Sequence, residues 1–262
     1  MKQKTIHIPV KDHNMKMIIM SYGDDDQLKP GILWIHGGGY LTGMASQVYI
    51  SCGKMLAKKF GGTVISPGYT LSFRKPYPAA FEDCYAALEY MWDHSDELRI
   101  DKDRIFVGGE SAGGGLCVAV CLKARDEGKI KVRAQFPIYP MIDCFDTESS
   151  KDNHGKVWNT RKNHISWKIY LGDLYGKNEI PYYASPARCN NYEGMPPCYT
   201  FVCDGEPFYA ETIKYVDDLN KAGVKAELDV YNGDMHGFDL LLITPKAKRA
   251  RNRLCEKYRS YL

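Results

Sequence analysis

The sequence has no long apolar run. No segment approaches the length of about 18 consecutive apolar residues that a membrane-spanning helix needs. The N-terminal stretch MKQKTIHIPVKDHN also contains no apolar core of signal-peptide length. These absences argue against a membrane protein and against export through a signal peptide. We therefore expect a cytoplasmic protein that does not bind membranes.

The sequence also lacks paired cysteine motifs and a strong charge imbalance. Its nine cysteines form no CxxC pair and lie mostly in apolar stretches, which favours reduced, buried thiols over disulfides or a zinc site. The formal net charge is only +3, and the basic run KAKRARNR at residues 246–253 is typical of the solvent face of a helix. We expect no nucleic-acid partner and no metal or organic cofactor.

What the sequence does contain is an ordinary globular composition and an alternation of strand-like and helix-like segments. Hydrophobic residues make up 44% and charged residues 26% of the 262 residues, and no linker or repeat divides the chain. The alternation requires crossover connections and hence a mainly parallel sheet. We predict a single α/β domain over residues 1–262, with an edge hairpin at the N-terminus. The predicted strands cover residues 6–10, 15–22, 31–36, 62–67, 104–109, 132–140, 197–204 and 225–231, and the predicted helices cover residues 47–60, 79–94 and 209–222 and begin again at 112 and 245.

Residues 143–183 interrupt this alternation. The segment is polar, contains four large aromatic residues and has no run typical of a buried strand. Ligands of open α/β sheets bind at the carboxyl ends of the strands. We interpret the segment as a cap-like insertion over that edge. The alternative is a surface excursion whose aromatic residues, Trp158, Trp167, Tyr170 and Tyr175, serve only to pack.

A GxSxG motif stands between a predicted strand and a predicted helix. Gly109, Glu110, Ser111, Ala112 and Gly113 follow RIFVG and open the helix AGGGLCVAVCLKA. A serine on a tight strand-to-helix turn needs small neighbours, because the backbone is strained and the side chain must project clear of the sheet. The N-terminus of the helix also favours developing negative charge. Ser111 is therefore the candidate nucleophile.

Residues 36–39 read HGGG and follow another buried, strand-like run. Because glycines have no side chain, backbone N–H groups in this stretch can approach a single ligand atom and point at it, as an oxyanion hole requires. Taken alone, the stretch is equally typical of a glycine-rich turn that binds nothing. Because it accompanies a GxSxG motif, we interpret it as an oxyanion hole.

The candidate base and acid lie late in the chain. A serine hydroxyl needs an adjacent base, usually a histidine held by a carboxylate. His236 lies in DMHGF after the strand KAELDVY, where the chain order serine, acid, histidine places the base. The acid should stand at the end of the strand PCYTFVCD, where Asp204 and Glu206 both qualify.

With these residues in place, the sequence resembles the hormone-sensitive-lipase-type family of α/β-hydrolases, which includes many bacterial carboxylesterases and acetyl esterases. From about residue 31 onward, HGGGYLTG, YTLSFRKPYPAAFEDCYAALEYM, DKDRIFVGGESAGG, IYPMID, EGMPP and HGF are similar to family blocks in the family's order. The resemblance implies an α/β-hydrolase fold. It also implies Ser111 as nucleophile, His236 as base, and the N–H groups of Gly38, Gly39 and Ala112 as oxyanion donors.

Two features depart from the family pattern. The family acid usually stands as aspartate before proline and an aliphatic residue, whereas the matching position here is Glu206, before Pro207 and Phe208. Glutamate can orient a histidine as aspartate does, so Glu206 is preferred and Asp204 stays an alternative. The helical N-terminal cap of many family members looks absent, since only 30 residues precede Gly31.

The expected protein is a serine carboxylesterase that hydrolyses short-acyl esters, acetyl to butyryl, through an acyl-enzyme intermediate. Acetylated sugars and other small molecules are the candidate substrates. Two alternatives stay open at this stage. One is an exopeptidase with the same triad, which would need an acidic patch for the substrate's amine. The other is a non-catalytic small-molecule binding protein, as some family-related plant hormone receptors are. The sequence leaves the oligomeric state open, a homo-oligomer included.

Overall fold

The computed structural model describes residues 1–24 and 26–262. Within them, eight strands form one sheet in the order β1-β2-β4-β3-β5-β6-β7-β8. The strands are β1 (Lys2–Val10), β2 (His13–Ser21), β3 (Lys29–Ile35), β4 (Thr63–Pro67), β5 (Ile100–Glu110), β6 (Ala134–Ile138), β7 (Cys198–Cys203) and β8 (Ala226–Tyr231). The α-helices are α1 (Cys52–Phe60), α2 (Ala79–Asp93), α3 (Ser95–Leu98), α4 (Ala112–Glu127), α5 (Thr160–Leu171), α6 (Tyr209–Lys221) and α7 (Pro245–Arg259). Short 3-10 helices cover Ala45–Ile50, Gly172–Leu174, Pro186–Arg188 and Phe238–Leu240.

The sheet is parallel except at its N-terminal edge. Strand β3 pairs in parallel with β4 and β5, and β6, β7 and β8 continue in the same direction. The hairpin β1–β2 is antiparallel and joins the sheet through an antiparallel pairing of β2 with β4. Parallel neighbours need crossover helices, which cover both faces of the sheet. The predicted α/β architecture with a mostly parallel sheet is confirmed.

The two faces of the sheet are buried against different helices. Leu33 and Val107 face a hydrophobic cluster that includes residues of α2 and α4. Ile32 and Phe106 face a second cluster that includes residues of α1 and α7. Because side chains alternate between faces, β3 is buried at every position. Twelve of the 16 residues of α4 are buried as well, so the turn that leads from β5 into α4 is held firmly.

Several element boundaries differ from their predictions; β1, for example, begins at Lys2 rather than at residue 6. The predicted helix over residues 47–60 is in fact a 3-10 helix followed by α1. The break lies at Ser51, which has an extended backbone and whose side chain accepts a hydrogen bond from the N–H of Lys54, as an N-cap residue does. Strand β5 begins at Ile100 rather than at residue 104, because Lys29 pairs with Ile100 ahead of a shift in register.

Residues 143–183 contain α5, whose N-cap Asn159 accepts a hydrogen bond from the N–H of Lys162. Trp167 and Tyr170 lie on the buried side of this helix and pack against Tyr40, with ring centroids 5.4 and 3.9 Å away. The role of these two aromatic residues is packing. Trp158 lies ahead of the helix and lines a cavity at the carboxyl edge of the sheet.

The described residues ahead of β3, 1–24 and 26–28, form the hairpin and no helix. In the part of the chain that the structure describes, none of the helices combines the length and the apolar character needed to cross a bilayer. The basic residues of α7 include Arg253 and Lys257, which pair with Asp229 and Glu227 of β8. Arg253, at the end of the basic run, and Lys257, just after it, therefore form ion pairs within the chain.

Candidate active site

Ser111 occupies a sharp turn between β5 and α4. Its backbone angles, φ 59° and ψ −121°, are strained for a residue with a side chain. Three backbone hydrogen bonds hold the turn: the N–H of Ser111 donates to Ile138 at 3.0 Å, and the N–H groups of Met141 and Gly115 both donate to the Ser111 carbonyl at 3.0 Å. The serine side chain is thereby fixed at the carboxyl edge of the sheet.

The glycines on either side of Ser111 are required by close backbone approach. A Cβ on Gly109 would lie 2.4 Å from the carbonyl oxygen of Gly113, and a Cβ on Gly113 would lie 2.1 Å from that of Ile35. Such distances leave no room for any side chain. The motif thus lets β3, β5 and α4 meet closely enough to present the serine.

Ser111, His236 and Glu206 form a continuous hydrogen-bonded chain. The Ser111 Oγ lies 2.9 Å from Nε2 of His236, and Nδ1 of His236 makes a short hydrogen bond to Oε2 of Glu206. All three side chains are buried. Because the carboxylate accepts the proton on Nδ1, Nε2 presents its lone pair to the serine hydroxyl. The arrangement suits general-base activation of Ser111.

Asp204, the alternative acid, does not contact the imidazole. Its side chain is exposed, and its Oδ1 accepts a hydrogen bond from the N–H of Gly233 at 2.8 Å. Its Oδ2 lies 3.4 Å from Nδ2 of Asn232. Asp204 therefore joins the end of β7 to the loop that leads to His236, while Glu206 lies next to His236 itself.

The glycine loop lies against the serine turn. A Cβ on Gly37 would be 3.4 Å from the Cβ of Ser111. Gly38 and Gly39 have φ angles of 122° and 59°, which glycine adopts at little cost. Among residues 1–24 and 26–262, no backbone carbonyl accepts a hydrogen bond from the N–H of Gly38, Gly39 or Ala112. Three backbone donors are therefore available beside Ser111, the candidate nucleophile, as stabilisation of an oxyanion requires.

A cavity of about 320 Å³ opens beside Ser111. Val157 and Trp158, from the segment 143–183, form part of its wall. The Trp158 ring lies 6.4 Å from the His236 ring, and a Cβ on Gly39 would come within 2.3 Å of it. Trp158 thus supplies an apolar side of the site. The sequence singled out this residue only as one of four aromatic residues in the insertion.

Glu110 and His36, two buried ionisable side chains, line the same cavity. Neither was predicted as a catalytic residue from the sequence. Burial, together with the negative charge of nearby Asp239, raises the pKa of Glu110 to about 8. Burial lowers the pKa of His36 to about 4, although the hydrogen bond to Gly37 acts in the opposite direction. Both side chains are therefore mainly uncharged at neutral pH. Their positions within GxSxG and HGGG were the signal that could have found them.

The described residues offer no evident metal centre. Among residues 1–24 and 26–262, no group of three His, Cys, Asp or Glu side chains is arranged to hold a metal ion. The nine cysteines are free thiols, of which Cys144 and Cys189 are half-buried and the others are buried.

Comparison with known proteins places the chain among esterases. Residues 32–240 match a family described as having an alpha/beta hydrolase fold. The chain is 29% identical over 232 residues to esterase LipI of Mycobacterium tuberculosis, an alignment that covers 87% of this chain and 72% of that protein. It is 30% identical over 241 residues to the carboxylic ester hydrolase LipN of the same species, with coverages of 89% and 64%. The chain thus spans less than two thirds of the length of LipN.

A solved structure gives the same result for the fold. The chain superposes on a bacterial heroin esterase with a TM-score of 0.94 at 34% identity, covering 100% of this chain and 84% of that one. The match to the family extends over more than half of the chain, from the strand before HGGG to the residues after His236. The family resemblance predicted from the motifs is confirmed. The chain therefore belongs to the α/β-hydrolase family.

Proposed function

We propose that this chain is a serine carboxylesterase that cleaves short-acyl esters of small molecules. The observation that carries the proposal is the hydrogen-bonded chain from Ser111 through His236 to Glu206, beside three available backbone donors. The relatives named as esterases support the coarse activity, which is the hydrolysis of carboxylic esters. The acyl length and the roles of individual residues are inferred from the geometry of this chain.

In the proposed reaction, His236 removes the proton of Ser111 as Oγ attacks the ester carbonyl. Glu206 stabilises the imidazolium and keeps its Nδ1 proton in place. The N–H groups of Gly38, Gly39 and Ala112 stabilise the negative oxygen of the tetrahedral intermediate. His236 then protonates the leaving alcohol. Water, activated by the same imidazole, attacks the acyl enzyme and releases the carboxylic acid.

The size of the cavity favours small esters. Its volume of about 320 Å³ is near the lower end of the range for ligand sites. Val157 and Trp158 narrow it on the side of residues 143–183, which we propose to act as a cap over the site. We therefore expect acetyl to butyryl esters to be cleaved, acetylated sugars among them, and long-chain esters to be poor substrates.

The test is hydrolysis of p-nitrophenyl acetate, butyrate, octanoate and laurate by the purified protein and by Ser111→Ala. Acetate and butyrate should be cleaved fastest, and Ser111→Ala should lower kcat by roughly 10³-fold or more. Ser72→Ala is a matched control, because Ser72 is a buried serine that does not line the cavity. Full activity of Ser111→Ala, or inertness of the wild type on every ester, would contradict the proposal.

The same preparation distinguishes the two alternatives. Cleavage of amino-acid p-nitroanilides without cleavage of esters would indicate an exopeptidase. Binding of small esters in calorimetry without turnover would indicate a non-catalytic binding protein. An exopeptidase would use the same hydrogen bond between Ser111 and His236, whereas a binding protein would require a different role for it.

A further inference from the structure

Three residues that line the cavity beside Ser111 each carry a buried polar atom without a hydrogen-bond partner in the described part of the chain. Nε2 of His36, Oγ of Ser66 and Oε1 of Glu110 lack a hydrogen-bond partner of good geometry among residues 1–24 and 26–262, and all three residues line the cavity. The carboxyl group of Glu110 also lies near the side chain of Trp34 and the backbone N–H of Cys52, which both act to lower its pKa. The exposed fractions of His36, Ser66 and Glu110 are only 2%, 1% and 9%. Buried polar groups are nearly always paired, because an unpaired one loses its hydration without compensation. We refer to His36, Ser66 and Glu110 as the polar cluster.

The sheet explains why the three residues of the polar cluster meet. Ser66 lies on β4 and Glu110 ends β5, and these two strands flank β3, which leads directly into His36. In the parallel register, Leu33 pairs with Ile65 and Ile35 pairs with Gly109. Ser66 therefore lies beside residue 34 and Glu110 beside residue 36, on one face of the sheet and near its carboxyl edge.

The hydrogen-bonding character of the polar cluster follows from its neighbours. Nδ1 of His36 lies 2.8 Å from the carbonyl oxygen of Gly37, so Nδ1 carries the proton and Nε2 is an acceptor. The Ser66 hydroxyl both donates and accepts, and so does the carboxyl group of Glu110 in its protonated form. The cluster thus offers both acceptors and donors on residues that line the cavity.

The charge state of the polar cluster favours a neutral ligand group. The raised pKa of Glu110 and the lowered pKa of His36 leave both side chains mainly uncharged at neutral pH. A buried ammonium or carboxylate would find no fixed opposite charge on these three residues and would lose its hydration. A hydroxyl group, which donates and accepts, matches the neutral cluster.

We propose that the polar cluster of His36, Ser66 and Glu110 binds a hydroxyl group of the ester, so that the enzyme selects esters with a hydroxyl a few bonds from the scissile carbonyl. This inference rests on the proposed esterase function and narrows its substrate class to hydroxylated esters. An unsubstituted chain in the same place leaves buried polar atoms unpaired, which is the condition under which a site discriminates strongly.

The experiment compares two pairs of esters of similar size. Ethyl 3-hydroxybutyrate against ethyl butyrate places the hydroxyl on the acyl side, and 2-hydroxyethyl butyrate against propyl butyrate places it on the alcohol side. The released acid is titrated at constant pH to obtain kcat/KM. The wild type should prefer the hydroxylated ester of one pair by about tenfold or more, and that pair identifies the side on which the hydroxyl binds.

Ser66→Ala should reduce this preference about five- to tenfold, because it removes one hydrogen-bonding group of the polar cluster. Ser72→Ala is the matched control: its hydroxyl is also buried and unpaired, yet it lies outside the cavity. This control should keep the wild-type ratio of kcat/KM values. Since Ser66→Ala removes an unpaired hydroxyl, its Tm should not fall, and thermal unfolding checks this.

The outcomes separate this inference from the proposed function. If the wild type cleaves both members of both pairs equally while Ser111→Ala is inactive, the esterase proposal stands and the role of the polar cluster is overturned. The same conclusion follows if Ser66→Ala keeps the full preference, in which case the cluster holds only ordered water. If the wild type cleaves no ester at all, both proposals fail together.

Discussion

The carboxyl group of Glu206 makes a contact with each of its oxygens. Oε2 makes the short hydrogen bond to Nδ1 of His236, while Oε1 accepts the N–H of Cys203 at 2.8 Å. Because Cys203 ends β7, the side chain is anchored on its own strand and completely buried. The glutamate is therefore held in one orientation, although it is longer than the aspartate usual in the family.

Glu206→Gln should be far more damaging than Asp204→Asn. The amide removes the charge that stabilises the imidazolium and can favour the wrong tautomer of His236, so kcat should fall by about 10³- to 10⁴-fold. Asp204 does not contact the imidazole, and its asparagine variant should stay close to wild type. Steady-state hydrolysis of p-nitrophenyl acetate measures both. Equal losses in the two variants would contradict the role of Glu206.

Gly39→Ala should lower kcat by about 10²-fold, because the added Cβ would lie 2.3 Å from the Trp158 ring and displace the loop that carries a proposed oxyanion donor. Gly128→Ala is the control, since Gly128 has a similar positive φ of 68° but nothing within 4 Å. Both variants should lose stability by about 1–2 kcal/mol, as urea unfolding would measure. A similar loss of kcat in both would mean that the effect of Gly39→Ala is not local.

Glu110→Gln should stabilise the protein at high pH. The pKa of Glu110 is about 8 in the folded protein, against an ordinary value of 4.5. The folded state therefore keeps a proton that the unfolded state releases, so the contribution of Glu110 to stability is lost as pH rises from 4.5 through 8. Relative to wild type, the glutamine variant should gain up to about 4 kcal/mol above this window and little below it.

Urea denaturation at the two ends of that window measures the difference between Glu110→Gln and wild type. Glu148→Gln is a suitable control, because the Glu148 side chain is 86% exposed and should contribute little at either pH. A gain for Glu110→Gln that is the same at both ends would show that the effect does not come from ionisation.

A thiol reagent added to the folded protein should react quickly with at most two cysteines, the half-buried Cys144 and Cys189. Burial raises the pKa of the Cys144 thiol, so its reactive thiolate is disfavoured and Cys189 should react first. Cys189→Ser should remove the fast phase. In denaturant all nine thiols should react, and a lower number would reveal a disulfide that the folded structure does not contain.

Local patterns predicted the fold and most of the candidate site. Buried parallel strands are short apolar runs, so their alternation with helical patterns predicts the sheet without knowledge of long-range contacts. Ser111 could be singled out because the need for glycine at positions 109 and 113 arises within one turn. The sequence could not decide whether Asp204 or Glu206 is the acid. Both follow β7, and only the folded structure shows which of the two side chains contacts His236.

The remaining features depend on contacts between distant segments. Ser66 stands in an apolar strand, and only the register of three strands brings it to the cavity with Glu110. The sequence does not distinguish Trp158 from Trp167, since both are tryptophans in a polar insertion. In the structure, Trp158 lines the cavity and Trp167 packs on Tyr40. The end of the first helical segment at Ser51 depends on a cap hydrogen bond that competes with a continuous helix.

The two outermost strands of the sheet have a consequence for behaviour at high protein concentration. Exposed sheet edges invite pairing with strands of other molecules and hence fibril-like aggregation. Strand β1 carries Lys4, which pairs with Glu97 at 3.0 Å, and Pro9, which has no N–H to offer. On β8, Glu227 is paired with Lys257 of α7. A foreign strand would have to bury or break these ion pairs, so the charged borders of the sheet oppose aggregation.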